Sequence, residues 1–225
     1  MDEQNNPKLV DELSRKLAKV HAIDVPIKKT GNWIFDSFDT FYETGKRNNV
    51  NHLLEKYNCQ TLIKYDLKPE IEWIKNLVLE TDSPIVFTHN DFRGSNIMVK
   101  ESENNNSDDE KEKLIVCDFE YSCYGYRGFD LGTIFAEWGR TFNDFLKFHN
   151  FPDDLVIKPF IDSYINESIK ICGTEYSADK RNSFEHIVKE VKVFTLAANM
   201  FSTLFCYGND ELAGESLFDK KLAMV

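Results

Sequence analysis

A chain of 225 residues is long enough to bury one sizeable core, and its 42% hydrophobic and 29% charged content is ordinary for a globular protein. Its 27 Lys and Arg against 38 Asp and Glu leave a net charge of −11, which argues against a nucleic-acid surface and suits a small cationic substrate. Five scattered cysteines (Cys59, Cys117, Cys123, Cys172, Cys206) lack zinc-site spacing, the start MDEQNNPK is unlike a signal peptide, and no apolar run approaches the ~18 to 20 residues of a membrane span. A cytoplasmic protein with reduced thiols is expected.

The first predicted helix opens at Asn6-Pro7, a capping side chain followed by a first-turn proline, and carries Leu9, Leu13, Leu17 and Val20 as one stripe. It is expected to end near Asp24-Val25-Pro26. Residues 30 to 42 hold Trp33, Phe35, Phe38, Phe41 and Tyr42, which predicts an irregular aromatic loop with a short helix. Asp66 to Glu80 predicts a further helix on Ile71, Ile74, Leu77 and Val78. From Pro84 the period changes to that of strands, with runs at 85–88, 96–99 and 114–118. The last two flank Glu101 to Lys113, thirteen polar residues without an aliphatic or aromatic side chain, expected to form a mobile hairpin tip. Beyond, Asp130 is a candidate cap for a helix burying Ile134, Trp138 and Phe145. Leu155 to Ile171 and Phe184 to Phe205 predict two longer helices, so that the whole reads as an α+β arrangement.

The chemistry concentrates between Thr88 and Glu120. Asp91 and Asn96 lie five apart in a turn that follows an apolar run, and Asp118 ends a second apolar run. Taken alone, His89-Asn90-Asp91 with Asn96 is also what a plain β-turn looks like. The added carboxylate at the end of a strand fits phosphoryl transfer, in which one carboxylate receives the substrate hydroxyl while an amide and a second carboxylate hold Mg²⁺ against nucleotide phosphates. On that reading Asp91 is the base or orienter, Asn96 and Asp118 are the metal ligands, and His89 is a structural hydrogen-bonder.

The strings HNDFRGSNI and CDFEYSCYGYRGFDLGTIFAEW resemble the catalytic heart of the choline/ethanolamine kinase family, whose fold is protein-kinase-like and shared with aminoglycoside phosphotransferases. The likeness is close over residues 84 to 138 and looser from about residue 8 to about 205. It implies the C-terminal lobe of that fold, mainly helical with short catalytic β-hairpins. Residues 1–83 would be helices preceding the catalytic loop, 84–121 the catalytic and metal-binding hairpins, 122–205 the substrate-pocket helices and 206–225 a divergent tail. It further implies ATP as co-substrate, Mg²⁺ as cofactor, and phosphorylation of choline or ethanolamine on the way to phosphatidylcholine and phosphatidylethanolamine, with homodimer formation admitted by the family. Glu137 becomes the carboxylate facing a quaternary ammonium, and Tyr121, Phe142 and Phe205 the aromatic walls, with Arg127 and Asp130 in structural support. The segments DFEY and YRGFD and the Glu137-Trp138 pair resemble choline kinases more than ethanolamine-specific ones.

The departures from the family are equally specific. Where members carry two tryptophans three apart on a late helix, this sequence has Ser202 and Phe205. At ~0.5 to 2 kcal/mol per cation–π contact, one missing wall weakens choline binding several-fold. Only 88 residues precede His89, with Gly31 and Gly45 as their glycines, and they show neither a glycine-rich strand-turn-strand nor a lysine-bearing strand. The lobe that covers ATP phosphates is therefore expected to be absent. Two alternatives stay open: a non-catalytic module that binds kinase subunits, and a phosphotransferase of the same fold acting on an aminoglycoside or sugar amine.

Overall fold

The computed structural model describes residues 6–56, 58–100, 113–139 and 151–209. Helix α1 (Pro7–His21) starts as expected, with the Asn6 side chain accepting from the Lys8 backbone N–H at 3.0 Å and Pro7 in the first turn. Its stripe of Leu9, Leu13, Leu17 and Val20 is buried. The segment predicted as an irregular loop with a short helix is instead one helix of 16 residues, α2 (Trp33–Asn48). Ile34, Phe38, Tyr42 and Gly45 recur at helical spacing on its buried face, while Trp33, Phe35 and Phe41 pack on its flanks. Aromatics on three sides hid the period, because this helix is wedged between neighbours. Short helices α3 (Asn51–Lys56) and α4 (Gln60–Lys64) lead to α5 (Lys68–Glu80).

Four short strands follow: β1 (Ile85–Thr88), β2 (Ile97–Val99), β3 (Leu114–Val116) and β4 (Cys123–Tyr126). They form two antiparallel pairs, β1 with β4 and β2 with β3, in the registers Thr88 to Cys123 and Ile97 to Val116. The ends of β2 and β3 are closed by Lys100 N–H donating to the Lys113 carbonyl at 2.7 Å. Glu12 of α1 reaches the same place, its carboxylate accepting the Lys113 and Leu114 N–H groups at 3.0 and 2.7 Å. Strand β4 was not anticipated, since Cys-Tyr-Gly-Tyr offers neither length nor alternation. The predicted acidic loop falls almost wholly outside the described residues.

Helix α6 (Arg127–Ala136) then crosses the chain's longest helix, α8 (Phe184–Gly208), and α7 (Asp154–Cys172) packs on α1. The crossing of α6 on α8 is close because Gly132 has no side chain: a Cβ there would lie 2.3 Å from the Phe194 carbonyl carbon. Two apolar clusters result. One joins α2, α5 and the C-terminal half of α8 through Phe38, Ile71, Ala197 and Leu204, and the other joins α1, α6, α7 and the start of α8 through Leu17, Leu131, Phe160 and Val191.

Two expectations about α6 are corrected. Asp130 does not cap it: the helix begins at Arg127 after Tyr126, and Asp130 lies buried inside the first turn. Nor does the helix carry Glu137 and Trp138, since it stops at Ala136 with Glu137 as its cap and Gly139 in the left-handed region at φ 78°. Trp138 still joins the apolar layer by stacking on Phe135 at 5.3 Å between ring centroids. Phe145 lies outside the described residues.

Candidate active site

Strand β1 delivers Thr88, and the two residues after it are held by elements far away in sequence. Asp130 of α6 accepts the backbone N–H groups of His89 (2.7 Å) and Asn90 (2.8 Å), one on each carboxylate oxygen. A buried carboxylate is stable there because it lies in the first turn of a helix and satisfies two loop donors that would otherwise be unpaired. His21, at the end of α1, lies with Nε2 3.2 Å from the same carboxylate and Nδ1 2.7 Å from the Tyr164 hydroxyl of α7. Burial and the neighbouring Tyr176 hold the Tyr164 hydroxyl well above its ordinary pKa, so it remains protonated and can donate to Nδ1. Asn90 adopts φ 65°, and its amide donates to the Tyr121 carbonyl at 2.8 Å.

These anchors bring three of the predicted residues together. His89 Nε2 donates to the Cys117 carbonyl at 2.9 Å, while its Nδ1 accepts from the Asp91 N–H at 3.2 Å. Asn96, in a single 3₁₀ turn at Gly94–Asn96, donates Nδ2–H to the Asp91 carbonyl at 2.9 Å and to Asp91 Oδ2 at 2.6 Å. Cys117 N–H in turn donates to the Asn96 carbonyl at 3.0 Å, so the residue before Asp118 is tied to both His89 and Asn96. Asp118 itself is left-handed at φ 67°, a backbone conformation that a non-glycine residue holds only when its surroundings impose it. Phe119 packs on the His89 ring at 4.5 Å.

Tyr121 stands half-exposed beside this group. Burial and then the charges of Glu120, Asp91 and Asp118 raise its hydroxyl pKa, which places the ring within the field of both aspartates. Across from it is Trp33 of α2, its ring 6.0 Å from Tyr121 and stacked on Phe201 of α8 at 5.5 Å. Phe205 belongs to the same aromatic group, 6.4 Å from Phe201 and edge-on to Phe41. Phe142 lies outside the described residues. Glu137 is linked to the catalytic loop by Arg93, whose guanidinium lies 3.7 Å from Glu137 Oε1 and 4.0 Å from Asp91 Oδ1.

Arg127 is far from this chemistry. It is buried and paired with Glu190 of α8 through contacts of 2.6 and 3.1 Å, and it also donates to Asn182 and to the Arg181 carbonyl. The pairing raises the guanidinium pKa despite burial.

Residues that the sequence reading passed over are Trp33, Arg93, Glu12 and His21. Arg93 stands two positions after Asp91 inside the motif, and that spacing alone could have flagged it. Trp33 was visible as an aromatic residue but not as part of a helix. Among the described residues no three His, Cys, Asp or Glu side chains gather into a metal site of their own. Asn96 and Asp118 instead offer one amide and one carboxylate oxygen, the sparse hard-donor set that suits Mg²⁺ when phosphates supply the remaining ligands.

Comparison with known proteins agrees with this geometry. The choline/ethanolamine kinase family model matches residues 1–216. Mouse choline kinase alpha is 30% identical over 208 residues, covering 88% of this chain and 44% of its own length. A human choline/ethanolamine kinase is 31% identical over 206 residues, covering 88% of this chain and 50% of its own. A Plasmodium vivax ethanolamine kinase superposes with a TM-score of 0.65 at 20% identity, covering 97% of this chain and 58% of that structure. A Cryptosporidium parvum choline kinase superposes with a TM-score of 0.63 at 18% identity. The chain thus spans about half the length of these curated relatives, and its fold is that of a kinase-like C-terminal lobe. With its family model matched over nearly the whole sequence, the chain belongs to the choline/ethanolamine kinase family.

Proposed function

We propose that the chain carries the catalytic and alcohol-binding residues of a cytoplasmic, ATP- and Mg²⁺-dependent phosphotransferase that converts choline or ethanolamine to its phosphate ester for phospholipid synthesis. The observation that carries this reading is the pair of hydrogen bonds that the Asn96 amide donates to the carbonyl and Oδ2 of Asp91. It fixes the carboxylate rotamer and commits one oxygen. Among the described residues no hydrogen bond engages the other, Oδ1, which faces Arg93 Nε at 4.0 Å and is placed to orient a substrate hydroxyl.

On this reading Asp91 accepts the hydroxyl proton as the alcohol oxygen bonds to the terminal phosphorus of ATP and the bond to the bridging oxygen breaks, releasing ADP. Asn96 Oδ1 and Asp118 would hold Mg²⁺, whose charge when bound offsets that of the phosphates. Met98 and Ile115 face each other across β2 and β3 and are both exposed, two residues beyond Asn96 and three before Asp118. They offer a purine ring an apolar seat. Tyr121, Trp33, Phe201 and Phe205 form the aromatic side of the alcohol pocket and Glu137 its acidic side. Within this scheme residues 1–83 support the catalytic loop, 84–121 perform the chemistry and 122–205 shape the pocket.

The test joins this chain to the N-terminal half of a relative, supplies ATP, Mg²⁺ and choline or ethanolamine, and follows the phosphate ester by ³¹P NMR. Turnover that falls at least ~100-fold in both Asp91→Asn and Asp118→Ala supports the reading. Turnover equal to that of the Asp91→Asn control overturns it.

A further inference from the structure

The acidic side of the pocket already has a cation of its own. Arg93 Nη1 lies 3.7 Å from Glu137 Oε1, and Arg93 Nε, 4.0 Å from Asp91 Oδ1, donates to the Ser95 hydroxyl at 2.7 Å. The guanidinium side chain is 33% exposed and that of Glu137 18%, so the pair sits at the lip of the site, where water screens it only in part. At 3.7 Å the contact is an ion pair beyond hydrogen-bond range, loose enough to be exchanged.

We propose that Arg93 sets the specificity of this site by competing with the substrate's ammonium for Glu137, which tilts the pocket from quaternary toward primary ammonium alcohols. The proposal rests on the reading of Glu137 as the ammonium-facing carboxylate. One carboxylate near the surface does not serve two cations equally, and two cations gathered on it repel each other. A quaternary ammonium has no N–H and holds Glu137 by charge alone, aided by aromatic faces. The Arg93 guanidinium likewise holds Glu137 Oε1 by charge at 3.7 Å. A primary ammonium brings donors, so it displaces Arg93 from Glu137 at less cost than a trimethylammonium does. Ser202 acts in the same direction. It stands three residues before Phe205 on α8, at neighbouring helical spacing, and provides no ring for methyl groups to rest on.

The test measures dissociation constants of choline and ethanolamine by calorimetry at low salt, for this chain, Arg93→Gln, Arg93→Lys and Arg93→Gln with Glu137→Gln. Arg93→Gln should tighten choline about tenfold and ethanolamine by less, so that the ratio of the two constants moves toward choline. Arg93→Lys should keep the original ratio, and adding Glu137→Gln should abolish the gain. Thermal melting of each variant shows that the fold is kept, as expected for a side chain at the lip. Choline binding that Arg93→Gln leaves unchanged or weakens overturns the role of Arg93 while the pocket stands. Failure of every variant to bind either cation overturns the pocket reading and this proposal together.

Discussion

At the scale of single residues, the loop that carries Asp91 depends on buried groups behind it. Asp130 holds the loop backbone, and His21 with Tyr164 stands behind Asp130. Replacing His21 with Leu leaves the Tyr164 hydroxyl and one Asp130 oxygen without this partner in a buried place, so unfolding in urea should show a loss of about 1–3 kcal/mol. The effect of Tyr164→Phe combined with His21→Leu should be smaller than the sum of the two, because both remove the same bond. The meeting of Asp91 with Asn96 was legible because a spacing of five in one turn survives without coordinates. His21 was not, because it is one polar residue among many on an amphipathic helix and its partners lie 109 and 143 positions away.

At the scale of elements, α6 and α8 approach through Gly132. In Gly132→Ala the new methyl would meet Phe194 backbone atoms at 2.3 and 2.5 Å, which no side-chain rotation relieves. A loss of about 1–3 kcal/mol is expected, read as a melting temperature lower by roughly 2–4 °C per kcal/mol. The segment before α8 gives a pH signature. Hydrogen bonding and charge from Arg181 hold the Asp179 carboxyl down to about 2. Its folded pKa therefore lies below its unfolded one, so the ionised form favours folding above pH ~4, and that benefit fades as pH drops toward 2. The melting curves of the protein and of Asp179→Asn should differ at pH 5 and converge by pH 2. Helices α1 and α5 announced themselves by a single apolar stripe. Helix α2 did not, since a helix buried on several sides loses its stripe, and β4 did not, since its pairing with β1 is written 35 residues away from Thr88.

At the scale of the whole molecule, the two apolar clusters share their framework. Phe129 of α6 and Phe194 of α8 belong to one, Leu131 of α6 and Val191 of α8 to the other. Neither cluster can be lost while the other keeps both helices in place, so the described portion should unfold as one unit. Two tryptophans make this measurable: Trp33 packs against the first cluster and Trp138 against the second. With Trp73→Phe in the background, Trp33→Phe and Trp138→Phe each leave one reporter, and their urea midpoints by fluorescence should coincide after correction for each mutation's own cost. Separate midpoints would divide the molecule into two folding units. None of its described helices is long and apolar enough to cross a membrane.

The grip of Glu12 on Lys113 and Leu114, together with the closure of Lys100 on Lys113, means that β3 is registered by α1 and not by whatever joins it to β2. Length in that connection is thereby uncoupled from the register of β3. Doubling a loop costs only about 0.6 kcal/mol in closure entropy, and here the cost would fall outside the two bonds that set the approach to Asp118. A reporter domain inserted between Lys100 and Lys113 should therefore leave the Cys117 bond to Asn96 in place.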